Sequence, residues 1–263
     1  GSFHGSLKDH KATELGTAVV KKCMEHSNLN GSEVDTVILG QVLQTGCGQN
    51  PARQAAINSG IDKDKTATTI NQVCGSGLAA VTLGFNSLKL NDTNIVIAGG
   101  QESMTNSPHY LNYRMEKNLS EEKLKDSMLI DGLIDAYDDY HMGVTAENVA
   151  EKYQITRNDQ DSFAFNSQKK AIKAISENKF KEEIVPIKLR NQKVFDKDEY
   201  PRSDTSFEKL STLKTVFKEN GTVTAGNASG LNDGAAAVTL MNFKTSKDKG
   251  LLPLVKIVSW AQC

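Results

Sequence analysis

The sequence has few of the features that tie a protein to a metal, a membrane or a nucleic acid. Its four cysteines form no C-x-x-C pair, which is the common spacing of zinc and iron–sulfur ligands. No apolar run approaches the roughly 18 residues of a membrane-spanning helix. The 31 basic and 32 acidic residues leave a net charge of -1, so nothing in the composition suggests a polybasic surface for nucleic acid or anionic lipid.

Signals for secretion are also missing. The first ten residues, GSFHGSLKDH, lack the basic segment followed by an apolar segment that is typical of a signal peptide. The cysteines, Cys23, Cys47, Cys74 and Cys263, are too widely spaced to suggest a disulfide framework. We therefore expect reduced thiols, a cytoplasmic location and no metal site.

The stretch TTINQVCGSGLAAV, residues 68–81, predicts a cysteine at a turn between a strand and a helix. β-Preferring residues end at Ile70, and apolar residues then recur at helical spacing from Leu78 onward. The start of a helix favours a thiolate over a thiol and leaves backbone amides free to donate hydrogen bonds. Cys74 is therefore our candidate nucleophile, and the nearby amides are candidates for stabilising an oxyanion.

Two other interpretations of this stretch stay open at the level of local sequence. A single cysteine is often only a small buried apolar residue. In addition, Gly75, Gly77 and Ala80 satisfy the G-x-G-x-x-A pattern of dinucleotide-binding folds. The next strand argues against a dinucleotide, because it ends in two glycines and Glu102 is the first acid that could hold a ribose.

Taken in order, the first hundred residues alternate between helical and strand patterns. A helical stripe around Leu15 precedes a branched run from Val34 to Leu43, and Asn50 can cap a helix whose first residue is Pro51. This alternation predicts an α/β fold whose mainly parallel sheet is covered by helices. Such sheets place ligands at the carboxyl ends of their strands, where Cys74 would lie.

The pattern changes after about residue 103, and we predict three domain segments. Residues 1–103 and 235–250 would form the α/β domain, and residues 104–234 an inserted, mostly helical domain. In the insert, Thr145 is a candidate cap for one helix, and Thr156 with Asp159 predicts a capping box for the next. Residues 245–250 read as a polar linker, and residues 251–263 as the first strand of a further domain that this chain lacks.

Several sequence blocks together resemble the thiolase family, in particular its acetyl-CoA acetyltransferases, across nearly the whole chain. The blocks, in family order, are GSFHGSL, GQNPARQAA, NQVCGSGLAA, GGQESM, HMGVTAENVA, GNASGLNDGAA and PLVKIVSWA. The resemblance implies a thiolase-like layered fold with an inserted loop domain that covers coenzyme A. It also implies a homodimer or homotetramer, with acetyl-CoA and acetoacetyl-CoA as substrates and no tightly bound cofactor.

Site residues follow from the resemblance position by position. The cysteine that matches Cys74 carries the acyl group in that family, which agrees with the prediction from its local sequence. The positions that fall where coenzyme A is held are Leu133, His141, Met142, Arg202, Phe217, Ala225, Gly226 and Ser229. On chemistry alone, Leu133, Met142 and Phe217 could equally be core residues, and Arg202 a solvated charge.

The sequence departs from the family in two motifs. Complete thiolases supply a histidine in G-H-P and a second cysteine in C-x-G-G-G, and neither motif is present here. The expected reaction is Claisen condensation of two acetyl-CoA molecules, or the reverse thiolysis, through an acetyl-cysteine. Because the base and the proton-transfer cysteine are missing, we expect this chain alone to be inactive. A 3-ketoacyl-CoA thiolase of broader chain length and a non-catalytic coenzyme A-binding fragment are the alternatives.

Overall fold

The computed structural model describes residues 1–114, 120 and 123–262, and the chain divides into two compact units. One unit combines residues 8–107 with 233–263, and the other combines residues 1–7 with 108–232. The segments predicted from sequence were 1–103 with 235–250, and 104–234. The first seven residues therefore group with the inserted segment, and the functional division into domains stays a prediction.

The first unit contains the main sheet and its covering helices. Its helices are α1 (Ala12–His26), α2 (Pro51–Asn58), α3 (Ser76–Lys89) and α7 (Phe243–Asp248), and its strands are β1 (Thr36–Gly40), β2 (Thr66–Ile70), β3 (Ile95–Ser103) and β8 (Asp233–Met241). The strand order is β2-β1-β3-β8. β1 runs parallel to both β2 and β3, whereas β8 is antiparallel to β3. The expectation of an α/β fold with a mainly parallel sheet is confirmed.

Alternation along the central strands builds one core on each face of this sheet. Val37 and Leu39 point to the face covered by α1 and α2, and both are fully buried. Ile38, between them in sequence, points to the opposite face with Ala80 of α3. The carboxyl ends of β1 and β2 consequently lie close to the amino terminus of α3.

Two details of the unit differ from the sequence-based expectations. β3 does not end at its two glycines but continues to Ser103, because β8 pairs with it along its full length. A side chain at Gly99 would place its Cβ 2.0 Å from the carbonyl oxygen of Ala236, so glycine permits this pairing. The expected linker after residue 244 lies largely in α7. Asn242 caps this helix, because its side chain accepts a hydrogen bond from the amide of Thr245.

The run from Leu251 to Trp260 forms no strand among the described residues, which end at Gln262. A strand requires a neighbour with which its backbone can pair. Most side chains of this run are exposed, and those of Leu252 and Leu254 almost completely so. Its assignment to a further domain stays a prediction, and Cys263 lies outside the described residues.

In the second unit, the described elements are helices and two small two-stranded sheets. The helices are α4 (Met142–Lys152), α5 (Arg157–Ser176) and α6 (Phe207–Ser211), with a π-helical turn at Leu129–Leu133, and the strands are β4 (His109–Tyr110), β5 (Lys125–Asp126), β6 (Ile187–Lys188) and β7 (Val194–Phe195). β4 pairs with β5, and β6 pairs with β7. The predicted capping box of α5 is confirmed, since Thr156 and Asp159 exchange hydrogen bonds.

The predicted cap of α4 is wrong. The helix begins at Met142, and its cap is His141, whose Nδ1 accepts a hydrogen bond from the amide of Gly143 at 2.9 Å. Thr145 lies inside the helix. An imidazole nitrogen can replace the usual side-chain oxygen because it also carries a lone pair. The His141 proton is therefore on Nε2 when the ring is neutral.

Asn50 is the cap that joins α2 to β2. It has a left-handed backbone with φ of 39°. Its side chain accepts from the Arg53 amide and the Thr69 hydroxyl and donates to the Ala67 carbonyl. Replacing Asn50 by alanine is therefore expected to lower the free energy of unfolding by about 2 kcal/mol, because it removes the cap and strains the backbone.

Chemical denaturation would measure the effect of the Asn50→Ala change. Asn50→Gly is the matched control, because glycine tolerates the left-handed backbone and loses only the side-chain hydrogen bonds. Its expected loss is smaller than that of Asn50→Ala. An Asn50→Ala protein as stable as the wild type would show that this cap contributes nothing.

Candidate active site

Cys74 lies in the turn between β2, which ends at Ile70, and α3, which begins at Ser76. The prediction of a strand-to-helix turn is thus confirmed, and Cys74 is exposed. β2 runs parallel to β1, so this turn leaves the sheet at the carboxyl end of its strands. That edge is where open α/β sheets present ligands.

Val73, directly before Cys74, has a backbone that β-branched residues rarely adopt. Its φ is 47°, in the left-handed region, where a branched side chain is a steric outlier. The side chain is half exposed, so burial does not compensate for this conformation. Strain of this kind, which costs about 1–3 kcal/mol, is retained where the surrounding structure imposes it, commonly at functional sites.

Ser76 closes the turn, a role that the sequence analysis missed. Its hydroxyl accepts from the Gln72 amide at 2.8 Å and donates to the Val73 carbonyl at 2.6 Å. The side-chain oxygen of Asn71 accepts from the Val73 amide at 2.8 Å. These short-range bonds fix the backbone on both sides of Cys74. The signal available in the sequence was Asn71 followed by Ser76, two residue types that form side-chain-to-backbone turns.

Several polar groups around the sulfur remain available to a ligand. Within residues 71–80, all of which the structure describes, no hydrogen bond is found from the amides of Cys74, Gly77 or Leu78, or from the Cys74 sulfur. Unpaired amides in the first turn of a helix carry partial positive charge. They can stabilise negative charge that develops on a nearby oxygen.

Gly40, the last residue of β1, permits a close backbone approach next to the turn that carries Cys74. A Cβ at Gly40 would lie 2.5 Å from both the carbonyl carbon and the Cβ of Ser76. By contrast, the nearest atom to a Cβ at Gly77 would be 3.9 Å away. The first turn of α3 therefore rests directly on the end of β1, and this contact sets the position of Cys74.

Glu102 cannot serve as the ribose-binding acid of the dinucleotide interpretation. Its carboxylate accepts from the amides of Val42 and Leu43, at 2.8 and 3.2 Å. Burial raises the pKa of this carboxyl group, and the two backbone hydrogen bonds only partly oppose that effect. Glu102 therefore fixes the start of the loop after β1, and the dinucleotide fingerprint has no acid left to complete it.

The other described thiols are in less reactive surroundings. Burial raises the pKa of Cys23 to about 11, against a hydrogen bond to Thr239 that lowers it. Burial also raises the pKa of Cys47, and the hydrogen bond from Gln41 opposes it. A higher pKa means less thiolate near neutral pH, so neither thiol is a comparable nucleophile.

In the second unit, the structure brings His141 and Phe217 together. Their rings stack with centroids 4.7 Å apart and planes 18° apart. A Cβ at Gly143 would lie 2.2 Å from the Phe217 ring, so Phe217 covers the first turn of α4. Met142, between His141 and Gly143, is partly exposed beside this pair. These three predicted coenzyme A residues form one cluster around the start of α4.

The predicted residues Ala225, Gly226 and Ser229 share a tight loop, residues 222–229. Ala225 and Ser229 are exposed, whereas Thr224 at its centre is fully buried. The amide of Gly226 donates to the Thr224 hydroxyl, and the amide of Ala228 to the Thr224 carbonyl. The loop therefore presents small residues and backbone on an ordered turn.

Leu133 and Arg202 belong to neither of those two groups. Leu133 ends the π-helical turn, and the next residue, Ile134, bridges to His141. Arg202 is exposed and lines an open cavity of about 470 Å³ with Phe3, Glu199 and Tyr200. Glu199 holds the N-terminal segment there, since it accepts from the amides of Ser2 and Ser6.

Neither a group of potential metal ligands nor a membrane-spanning helix is found in the part of the chain that the structure describes. The described residues include no group of three or more histidine, cysteine or acidic side chains that could hold a metal ion. Among the same residues, no helix has the length and apolar character to cross a bilayer.

Comparisons with known proteins agree on one family. Residues 1–244 match the family described as "Thiolase, N-terminal domain". An acetyl-CoA acetyltransferase of Pseudomonas aeruginosa is 51% identical and covers 99% of this chain, which spans 68% of that relative. A probable acetyl-CoA acyltransferase of Staphylococcus epidermidis is 48% identical over 99% of this chain and 67% of its own length.

A solved structure gives the same result in three dimensions. The crystal structure of the Bacillus anthracis acetyl-CoA acetyltransferase matches 97% of this chain with a TM-score of 0.91 and 40% sequence identity. This chain covers 65% of that protein, so it spans about two thirds of the length of its relatives. The expected thiolase-like layered fold is confirmed. On sequence and structure together, this chain belongs to the thiolase family.

Proposed function

We propose that this chain is the acyl-accepting part of an acetyl-CoA C-acetyltransferase, with Cys74 as nucleophile. The observation that carries the proposal is the turn at Cys74, where an exposed sulfur lies beside unpaired amides at the start of α3. A thioester carbonyl is the substrate group that suits this arrangement. It offers an electrophilic carbon to the sulfur and an oxygen to the amides.

In the first step, the Cys74 thiolate attacks the acetyl carbon of acetyl-CoA. A bond forms between Cys74 Sγ and that carbon, while the bond to the coenzyme A sulfur breaks. Coenzyme A leaves as a thiolate, and the acetyl group remains on Cys74. The amides of Cys74, Gly77 and Leu78 are the candidates to hold the oxyanion of the tetrahedral intermediate.

In the second step, a second acetyl-CoA loses a proton from its methyl carbon, and the resulting carbanion attacks the acetyl-cysteine. A carbon–carbon bond forms, Cys74 leaves as thiolate, and acetoacetyl-CoA is the product. The reverse direction is thiolysis. The resemblance assigns the activation of Cys74 to a histidine in G-H-P, and the proton transfer at the acetyl carbon to a cysteine in C-x-G-G-G. This sequence contains neither motif. We therefore expect these 263 residues alone not to complete the reaction.

The second unit is proposed to hold coenzyme A, which acts as substrate and not as a tightly bound cofactor. His141, Met142 and Phe217 would contact it at the start of α4, and Ala225, Gly226 and Ser229 through the exposed side of loop 222–229. Leu133 would add apolar surface, and Arg202 a cation for phosphate.

Two further expectations belong to the whole protein. By resemblance it is a homodimer or homotetramer. We place it in the cytoplasm, because an acyl-accepting thiol has to stay reduced and cytosolic thiols are kept so. A 3-ketoacyl-CoA thiolase of broader chain length would use the same Cys74 chemistry. Comparing the rates with acetyl-CoA and with longer acyl-CoA substrates distinguishes that enzyme from an acetyl-CoA C-acetyltransferase.

Selective alkylation tests the assignment of the nucleophile. Brief treatment with iodoacetamide at pH 8, followed by peptide mass mapping, should modify Cys74 before Cys23 or Cys47. A rise in pKa from 9.0 to about 11 makes the Cys23 thiolate about 100-fold scarcer than an ordinary one. Acetyl-CoA should protect Cys74 from modification and leave the other two rates unchanged. Equal labelling of the three thiols would contradict the proposal.

A further inference from the structure

Loop 222–229 is held by two buried carboxylates that no sequence pattern had singled out. Glu147 on α4 is 3% exposed, and Asp161 on α5 is 1% exposed. Buried carboxylates are uncommon unless their charge is compensated by donors or cations. Each of these two is fully engaged, and both point to the same loop.

Glu147 accepts from the start of the loop with both oxygens. The Val223 amide donates to Oε1 at 2.7 Å, and the Thr222 hydroxyl to Oε2 at 2.8 Å. The Thr222 amide lies 2.8 and 2.9 Å from the two oxygens. Burial by itself raises the pKa of Glu147. The hydrogen bonds from Val223 and Thr222 together lower it by more than burial raises it, so the pKa lies below its ordinary value.

The approach of the loop to Glu147 depends on a glycine. A Cβ at Gly221 would lie 2.4 Å from Glu147 Oε1. In addition, Gln160 Nε2 donates to the Thr222 hydroxyl at 2.8 Å, so the hydroxyl proton is left to point at Glu147. The carboxylate, the loop backbone and the hydroxyl are thus matched to the ionised form of Glu147.

Asp161 holds the other end of the same loop through Asn227. Asn227 Nδ2 donates to Asp161 Oδ1 at 2.9 Å, and Asn227 Oδ1 accepts from the Thr224 amide at 2.8 Å. Arg157 neutralises Asp161 through a 2.7 Å ion pair. The loop therefore has a fixed backbone although its exposed residues are small.

We infer that Glu147 and Asp161 are positioning residues for coenzyme A, acting through loop 222–229 without touching the ligand. This rests on the proposed role of Ala225, Gly226 and Ser229. Glu147 also lies one helical turn after Gly143, so one short helix carries both the His141–Phe217 cluster and the support of the loop. A ligand that contacts both meets groups whose spacing is set in advance, which lowers the ordering cost of binding.

Glu147→Gln in the complete protein is the sharpest test. The amide has the same shape, but one oxygen becomes an NH₂ group that faces donors. Coenzyme A should bind about 10-fold more weakly by titration calorimetry, since one charge-assisted set of hydrogen bonds is lost. KM for acetyl-CoA should rise in parallel while kcat stays within about twofold, since the loop positions substrate and takes no part in chemistry.

Glu151→Gln is the matched control. Glu151 follows Glu147 by one turn on α4, but its side chain is exposed and pairs with the exposed Lys218. Its replacement should leave coenzyme A affinity unchanged, because exposed ion pairs contribute little. Thr222→Val is the second variant, in case Glu147→Gln does not fold; it removes only the hydroxyl contacts and should weaken binding about threefold.

Hydrogen exchange separates the outcomes. The amides of Thr222, Val223 and Thr224 should exchange faster in Glu147→Gln, whereas the alkylation rate of Cys74 should not change. If wild-type protein fails to bind coenzyme A, the proposed role of Ala225, Gly226 and Ser229 in binding it fails, and this inference fails with it. If wild type binds and both Glu147→Gln and Thr222→Val bind equally well, the inference alone is overturned.

Discussion

Replacing Cys74 by serine should lower acyl transfer at least about a thousandfold, because it removes the nucleophile of a two-step covalent mechanism. Serine is nearly isosteric, and its hydroxyl is almost wholly protonated at neutral pH. The exposed position of Cys74 means that no packing is disturbed. Folding should therefore be intact while chemistry is lost.

The measurement is formation of acetyl-enzyme by the complete protein with acetyl-CoA, followed by intact mass spectrometry, together with steady-state thiolysis. Cys47→Ser is the matched control, since Cys47 is partly buried and its thiol has a raised pKa. It should retain acetylation and activity. An acetyl group that still attaches to the Cys74→Ser protein at the wild-type rate would place the nucleophile elsewhere.

The second large effect is expected at Gly40. Adding one methyl group there would force Ser76 and the start of α3 away from β1, since the new Cβ would lie 2.5 Å from Ser76 atoms and 2.8 Å from the Gly77 amide. Backbone cannot give way as a flexible side chain can. We expect the free energy of unfolding to fall by about 3 kcal/mol for Gly40→Ala.

The same change should also slow alkylation of Cys74 at pH 8 by at least about tenfold, because small displacements of a reactive group have large effects on rate. Gly234→Ala is the control, since a Cβ at that strand position meets no atom within 4 Å. It should be nearly neutral in both measurements. A stable Gly40→Ala protein with a normally reactive Cys74 would show that the contact with β1 does not position the nucleophile.

Local sequence signals predicted the elements whose determinants lie close together in the chain. The Asn50–Pro51 start of α2 and the capping box of α5 are read from residues that are neighbours in sequence. The turn at Cys74 was predicted because strand and helix periodicities meet there. The cap of α4 was missed because histidine is not among the usual capping residues.

What the sequence could not reveal depends on contacts between distant residues. Gly40 looks like an ordinary strand end until Ser76 is seen to rest on it. Glu147 lies in a helix with many polar residues, and nothing in its own segment shows that residues 221–223 will surround it. The apolar run 251–260 has a strand-like composition, yet a strand is defined by its neighbour, which the described chain does not supply.

The pairing of β3 with β8 has a consequence for how the chain folds during synthesis. Ser103 and Asp233, which are hydrogen bonded, are 130 residues apart, so ribosomal elongation at about 5–20 residues per second separates their appearance by on the order of ten seconds. During that interval one edge of β3 has no partner, although the first half of β3 is strongly apolar. An unpaired apolar edge invites association with other chains. Nascent chains of this protein are therefore expected to need chaperone protection until β8 has emerged.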